Sequence, residues 1–355
     1  MKVSMFTTMF SLGHSKFGIS NAAYFLARNM AEKGDEINVC SIVSGPQKTS
    51  EKKGNISVKR FDAGMKSFLF ARKMLMEPKS RPDIFHSFHY GYFPATAGFM
   101  SSIRMKRPHI FTPAFHPPIY TAGKRVLSWQ YGIFQGWPLL KFSRKTLAFN
   151  EDERTRLSRY VKGNFNVVPP PVDSRTFYPD RKESGKIRIG FIGPMLPWKG
   201  ALIAAEIFGK MQNERKDIEF VFIGFGELEK EIRKKGRFMF HRELAPENIA
   251  SHMNSMDILV SPTKCESFGY VLAEAGMCGT PVVSTRVGAV PETVGEGGVL
   301  VDYGDWDSMK KEIEFLADDD RKRKSTGKNA VKHTRQFRDD VVSETIYKIY
   351  NSCLD

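Results

Sequence analysis

The chain has 355 residues, enough for two domains that each bury a core, and its 41% hydrophobic and 26% charged residues are the balance of a soluble globular protein. Lys and Arg outnumber Asp and Glu by 54 to 39, a formal charge of +15 that favours phosphorylated substrates, an anionic membrane face or nucleic acid. No apolar run reaches roughly 18 residues, so no membrane-spanning helix is expected, and no RNA- or DNA-binding signature accompanies the charge, which argues against nucleic acid as a partner.

Met1 to Thr8 reads as a first strand. It lacks the long apolar region and small-residue cleavage site of a signal peptide. The four cysteines, Cys40, Cys265, Cys278 and Cys353, form no C-x-x-C pair and no zinc spacing. A reducing, cytoplasmic setting is therefore expected, with Cys40 and Cys278 as small core residues.

A small-residue loop from Ser11 to Ser20 carries Gly13 and Gly18. A helix follows with Ala22, Ala23, Phe25, Leu26 and Met30 at helical spacing, stopped by Gly34, and then a strand from Ile37 to Val43. A strand, glycine loop, helix and strand suit a nucleotide-binding half, although the loop does not match G-x-G-x-x-G and a plain βα turn accounts for it as well. Ile56 to Phe61 reads as a strand and Met65 to Met76 as a basic helix. Asp83 to His89 and Pro108 to Thr112 read as short buried strands, so His89 and His116 fall just past strand ends, the ligand side of an open α/β sheet.

Residues 124–145 interleave Trp129, Phe134, Trp137, Leu139, Leu140 and Phe142 with Lys124, Arg125, Lys141, Arg144 and Lys145. That pattern suits an interfacial membrane contact or an acceptor-binding wall, and equally a core helix capped by solvated charges. Thr146 to Asn150 reads as a strand, Glu151 to Tyr160 as a helix and Phe165 to Val168 as a strand. Pro169, Pro170 and Pro171 then stop regular structure, and the polar stretch from Asp180 to Gly185 places a domain boundary near residue 182.

The second half opens with a strand from Ile187 to Ile192. Gly193 to Gly200 follows, and a Gly and a Lys before a helix start suit a diphosphate. Ile218 to Ile223 is a strand ending at Gly224, followed by a helix, a strand from Phe238 to His241 and a helix from Pro246 to Met253. Next comes the densest stretch. Strand Ile258 to Ser261 leads to Glu266-Ser267-Phe268-Gly269-Tyr270-Val271-Leu272-Ala273-Glu274 and on to strand Pro281 to Ser284. Here two carboxylates, Glu266 and Glu274, flank a helix start whose free N–H groups accept an anion. Carboxylates suit hydroxyl groups and free N–H groups suit phosphates; a nucleotide sugar carries both. Trp306 to Leu316 is amphipathic. Arg321 to Arg335 holds seven Lys/Arg and no acid, a solvated helix face or an anionic-surface patch. A terminal helix from Asp340 to Leu354 shows the stripe Val341, Val342, Thr345, Ile346, Ile349 and Tyr350.

On these motifs the chain resembles the retaining family-4 nucleotide-sugar glycosyltransferases of GT-B fold. Glu266 to Glu274 is similar to the family's Glu-x7-Glu element, Gly279 to Val283 to its G-x-P-V-V strand and Gly288 to Glu292 to its G-G-x-P-E loop. Gly193 to Gly200 is similar to its G-R-L-x-x-x-K-G loop, Val168 to Asp173 to its interdomain linker and Asp83 to His89 to its D-I-V-H-x-H strand. The resemblance implies an α/β protein of two Rossmann-like domains facing a central cleft. Residues 1–182 would form an acceptor domain, onto which a helix from 338 to 355 packs back, and residues 183–337 a donor domain.

It also implies roles. Glu266 would hold the donor sugar and stabilise charge at the anomeric carbon, Lys199 would neutralise the diphosphate, and His116 would contact the sugar near the acceptor. Gly13, Gly18, Gly193, Gly224, Ser267, Phe268, Gly269, Tyr270 and Val271 would complete the donor site, with Glu274 on the ribose. His89, Tyr90 and Trp129 would lie on the acceptor side. No metal and no cofactor are expected, the nucleotide diphosphate sugar being a co-substrate. The acceptor would be a glycan, lipid or small molecule, and the protein cytoplasmic, with an anionic inner membrane face as a further partner. The pattern departs at Pro194, where the family has Arg, and Arg242 and Arg286 are candidate replacements. A non-catalytic subunit of the same fold, a nucleotide-sugar epimerase and a phosphorylase are the alternatives.

Overall fold

A computed structural model describes all residues except 14–17, 44–47, 64–70, 79–80, 116–134, 182–184, 243 and 355. The chain divides into two compact units. The first comprises Met1–Pro171 together with Asp339–Asp355, and the second comprises Val172–Arg338.

In the first unit the described elements run β1 (Lys2–Phe6), α1 (Gly18–Glu32), β2 (Glu36–Ile42), β3 (Ser50–Lys53), β4 (Ile56–Phe61), β5 (Ile84–Phe88), α2 (Phe93–Met105), β6 (His109–Thr112), α3 (Trp137–Phe142), β7 (Lys145–Ala148), α4 (Glu151–Ser158) and β8 (Phe165–Val167). The eight described strands form one sheet in the order β3-β4-β2-β1-β5-β6-β7-β8, parallel throughout except for the antiparallel pair β3–β4. Short apolar strands alternating with helices give this layering, because a parallel sheet must be covered on both faces. From β1 the chain winds outward through β2 to β4 and then returns to start β5 on the other side. The order therefore reverses between β1 and β5, where an open sheet leaves a crevice at its carboxyl edge.

The second unit holds β9 (Ile187–Ile192), α5 (Ala201–Glu214), β10 (Ile218–Ile223), α6 (Glu229–Ile232), β11 (Met239–His241), α7 (Pro246–Ser255), β12 (Ile258–Ser261), α8 (Tyr270–Met277), β13 (Val282–Thr285), α9 (Val290–Val294), β14 (Gly298–Val301), α10 (Trp306–Asp318) and α11 (Asp320–Thr334). Its six described strands are all parallel, in the order β11-β10-β9-β12-β13-β14, and the reversal falls between β9 and β12. A ring cluster of Phe191, Phe208, Phe220 and Phe222 fills one face of this sheet, with Phe208 and Phe220 stacked at 4.8 Å.

The last helix, α12 (Asp339–Leu354), belongs to the first unit. Val342, Ile346 and Tyr350 are buried in the same core as Val3, Met5, Ala23 and Leu26. Burying three such side chains stabilises by about 2 kcal/mol each. Asp339 fixes the helix start: its buried carboxylate accepts from the Arg28 guanidinium and the Asn29 amide, each at 2.7 Å. Val341 and Thr345, expected in the apolar stripe, are exposed instead.

Three expectations need correction. The boundary falls at Pro171, not near residue 182, because the linker residues already bond to the second unit: the Val172 N–H donates to the Phe337 carbonyl at 2.8 Å and Arg181 pairs with Asp257. Within the expected basic helix 65–76, the described part, Arg72–Met76, is a 3-10 turn. Helix α2 was not anticipated, since Gly98, Ser101 and Ser102 break its apolar periodicity. Gly98 is there for contact: a Cβ would lie 2.2 Å from Ser87 Oγ and 2.9 Å from the Phe6 ring.

Candidate active site in the second unit

Two loops leave the carboxyl edge of the second sheet on either side of its reversal point. One follows β9 and carries Gly193 to Gly200; the other follows β12 and carries Pro262 to Gly269. Backbone contact locks them together. Gly200 has φ +73°, and a Cβ on it would lie 2.0 Å from the Pro262 carbonyl oxygen, so only glycine fits. The Trp198 carbonyl accepts from the Lys264 N–H at 2.8 Å and the Thr263 hydroxyl at 3.2 Å. The result is an ion pair between residues 67 positions apart: Lys199 Nζ lies 2.6 Å from Glu266 Oε2. Both side chains remain partly open, Lys199 at 29% and Glu266 at 18% exposure, so solvent or a ligand reaches the pair.

Glu266 is held from behind as well. Its carbonyl accepts from the Ala289 N–H at 3.0 Å, and a Cβ on Gly288, at φ +49°, would lie 2.2 Å from that same oxygen. Its side chain runs beside Gly269, whose φ of +91° ends the loop and starts α8. Among the described residues no side chain caps α8, which leaves its first N–H groups and positive dipole end as a place for an anion. Phe268 anchors the turn: its ring is buried edge-on against Phe337 at 5.2 Å and its carbonyl accepts from the Thr293 hydroxyl.

Residues 186–319 match the family described as Glycosyl transferases group 1. That match lies wholly within the second unit, which is similar to this family over those residues. Across a longer stretch the chain is 27% identical over 292 residues to an uncharacterized glycosyltransferase of Methanocaldococcus jannaschii, covering 77% of this chain and 76% of that one. It is 33% identical over 195 residues to the D-inositol 3-phosphate glycosyltransferase of Paenarthrobacter aurescens, a match spanning 48% of this chain and 48%, about half, of that relative. Among solved structures, sucrose-phosphate synthase from Thermosynechococcus elongatus superposes with a TM-score of 0.80 at 16% identity, covering 99% of this chain and 98% of that one. Anabaena HepE in complex with UDP-glucose superposes with a TM-score of 0.75 at 18% identity, covering 99% and 100%. At these identities the likeness is one of fold: two Rossmann-like units of GT-B type.

Within the matched residues 186–319 lie Lys199, Gly193, Gly224, Glu266, Ser267, Phe268, Gly269, Tyr270, Val271 and Glu274, all on the carboxyl edge of the sheet or the first turns beyond it. Gly193 and Gly224 end adjacent strands, and a Cβ on Gly224 would lie 2.1 Å from the Gly193 carbonyl oxygen. Tyr270 has a buried hydroxyl without a hydrogen-bond partner, and burial, then the Glu274 charge, push the phenol well above its usual range. The departure at Pro194 stands, and each candidate replacement has a partner at the surface. Arg242 is committed to Glu229 at 2.8 Å and, with Arg233, holds that carboxyl below its usual range. Arg286 donates to the Leu300 carbonyl at 3.0 Å and lies 3.7 Å from Asp302. Among the described residues no three His, Cys, Asp or Glu side chains gather at metal-binding distance.

In the first unit, Gly13, Gly18, His89 and Tyr90 lie near the carboxyl edge of that sheet, while His116 and Trp129 fall outside the described residues. His89, at φ +80°, follows β5, and its Nδ1 lies 3.1 Å from the Thr8 hydroxyl beyond β1, so the two loops at this sheet's reversal point are tied. The Tyr90 N–H donates to the Pro113 carbonyl at 2.6 Å, its ring meets Phe115 edge-on at 5.2 Å, and burial pushes its phenol up to about 12. His86, within the D-I-V-H-x-H-like strand, is wholly buried between Tyr350 and Thr112 and is held neutral by desolvation.

Two supports were missed from sequence. Gly288 and Ala289 brace Glu266, although their loop was in view as a motif. Glu153, 4% exposed, accepts from the Phe115 and Phe149 N–H groups, each at 2.6 Å. Burial pushes its carboxyl up to about 7 despite those two donors. The Asn150-x-x-Glu153 capping spacing was its signal: Asn150 caps α4 through the Glu153 N–H at 2.8 Å.

Proposed function

We propose that the protein is a retaining glycosyltransferase that moves a sugar from a nucleotide diphosphate donor to an acceptor hydroxyl without a metal ion. The observation that carries this reading is the Lys199–Glu266 pair beside the uncapped start of α8, at the reversal point of a sheet within the matched residues 186–319. An arriving diphosphate takes Lys199 and the N–H groups at the helix start, which supply the positive field that a metal supplies elsewhere. Glu266, released from Lys199, then accepts from sugar hydroxyls and faces the positive charge that develops at the anomeric carbon. The bond from that carbon to the phosphate oxygen breaks and the bond to the acceptor oxygen forms on the same face. The departing phosphate oxygen takes the acceptor proton. Glu274 holds ribose hydroxyls, Gly13 and Gly18 serve the diphosphate, and His116, with His89, Tyr90 and Trp129, serves the sugar and the acceptor. The acceptor is a glycan, lipid or small molecule, and the name of the Paenarthrobacter relative makes inositol phosphate the first to test. We place the reaction in the cytoplasm, with an anionic inner membrane face as a partner surface.

Turnover with a panel of nucleotide sugars and acceptors tests the reading, with the product anomer assigned by NMR and chelator added in parallel. Full wild-type rates in both Glu266→Ala and Lys199→Ala would overturn the site. A second reading, a nucleotide-binding subunit without turnover, draws on Pro194 and on the prior commitment of Arg242 and Arg286. Calorimetric nucleotide binding with no product from any donor and acceptor would favour it. Product formed without acceptor would instead indicate an epimerase.

A further inference from the structure

On the edge of the first unit's sheet opposite His89 and Tyr90, the C-terminal end of α2 and the amino ends of β6 and β7 enclose an open groove of about 660 Å³. Ile103 and Phe142 form its apolar lips, 56% and 62% exposed, and Lys106, Arg107 and Arg144 stand among them. Met100, one helical turn before Ile103, is 50% exposed, and Trp137, edge-on to Phe142 at 5.7 Å, is 42% exposed.

Several cations of the second unit have carboxylate partners, as Arg188 with Glu219, Arg233 and Arg242 with Glu229, and Lys310 with Glu214. Among the described residues no carboxylate pairs with Lys106, Arg107 or Arg144, and the Arg107 Nε is buried without an acceptor. Lys106 is directed by the fold: it takes φ +52° to end α2, and its N–H and that of Arg107 bond back to the last helical turn. Unpaired cations seek anions; exposed Ile, Met, Phe and Trp side chains seek a non-aqueous phase. A nucleic acid answers the first need but leaves the aliphatic Met100 and Ile103 in water. An anionic bilayer surface answers both, with headgroup phosphates at the cations and the apolar side chains below them.

We infer that this groove is where the protein docks on an anionic phospholipid surface. The sequence pattern over 124–145 raised a membrane contact in general terms; the folded chain adds α2 and puts the contact on the edge away from His89 and Tyr90. Docked this way, the first unit keeps the carboxyl edge of its sheet clear of the bilayer. The inference does not rest on the transfer reaction.

Co-flotation of the full chain with vesicles of phosphatidylcholine alone, or of phosphatidylcholine with phosphatidylglycerol, tests it at low and high salt and with no sugar donor present. Binding is expected only with phosphatidylglycerol, weakening as salt rises. Lys106→Gln/Arg144→Gln should weaken partitioning roughly thirtyfold, from about a fivefold step per cation. Phe142→Ser should weaken it independently of salt. Lys328→Gln/Lys332→Gln, on the basic helix of the second unit, should leave it unchanged. Circular dichroism checks that each variant is folded, and Phe142→Ser decides alone if the charge variant is not. Equal binding by the groove variants, equal binding to both vesicle types, or no vesicle binding would each overturn the inference. So would thermal stabilisation by glycerol phosphate or inorganic phosphate without vesicle binding, or groove-dependent RNA binding in its place. Because flotation reads binding alone, these failures are separate from absence of turnover.

Discussion

Lys199 and Glu266 satisfy each other before any ligand arrives, so the two partners should respond to substitution with opposite signs. Lys199→Ala removes a charge-assisted contact to the diphosphate, worth roughly 1.5–3 kcal/mol for a hydrogen bond to a charged group. Wild-type binding must first break the pair at 2.6 Å. At 29% and 18% exposure that cost belongs near the scale of a solvent-reached pair, about 0.2–1 kcal/mol. The net, about 0.5–2.8 kcal/mol, means Lys199→Ala should bind a nucleoside diphosphate about twofold to a hundredfold more weakly. Glu266→Gln removes the competitor for Lys199 and should bind the same ligand up to about fivefold more tightly. Turnover of the nucleotide sugar should nevertheless fall in Glu266→Gln by roughly a hundredfold to a thousandfold, the scale for removing a group that meets charge in the transition state. Titration calorimetry with UDP, GDP and ADP, run beside initial rates, reads both quantities. If Glu266→Gln weakens diphosphate binding as much as Lys199→Ala does, the pair is a structural tie between two loops and the reasoning fails.

Other consequences are open to measurement. Gly200→Ala forces a side chain into the left-handed region, at roughly 1–2 kcal/mol, and against the Pro262 carbonyl. It should lower Tm and cost nucleotide binding, while retention of both would mean the loop contact is dispensable. Glu153, with its carboxyl near 7 in the folded chain against an ordinary 4.5, makes the folded state bind a proton more readily than the unfolded one. Its contribution is full below about pH 4.5 and is lost as pH rises through 7, by about 3 kcal/mol. The stability difference between wild type and Glu153→Gln in urea should shift in that direction across the window, and a flat difference would refute it. His86 and His109 are the reverse case. Burial lowers both, His109 to about 3, so their contribution is present above pH 6.5 and lost as pH falls toward 3. His109→Gln should blunt the acid-side loss of Tm if this burial governs it.

Strands that are buried on both faces announce themselves, and Ile187–Ile192 and Ile218–Ile223 were read from sequence to the residue. The edge strand Ser50–Lys53 was not, because its side chains are polar and, among the described residues, it pairs with the antiparallel β4 alone. The placement of Gly193, Gly224 and Gly269 beyond strands was legible because strand, glycine loop and helix recur in a fixed local order. That Lys199 would pair with Glu266 was not, since the contact depends on β9 and β12 being neighbours, and sheet order does not follow sequence order. Glu153 was hidden for a further reason: a buried carboxylate that bonds only backbone leaves no partner side chain to look for.

Because α12 completes a core begun by β1 and α1, the order of synthesis and the order of folding differ. Residues 172–338 are contiguous and can finish their own sheet as they emerge. The first unit's core includes Val342, Ile346 and Tyr350 and so is complete only after that helix has been made. A nascent chain stalled before residue 339 would hold a finished second unit and an unfinished first, its α1 surface bare to chaperones. The Val172–Phe337 backbone bond then acts as a clasp, bringing the late segment back to where the early one ended.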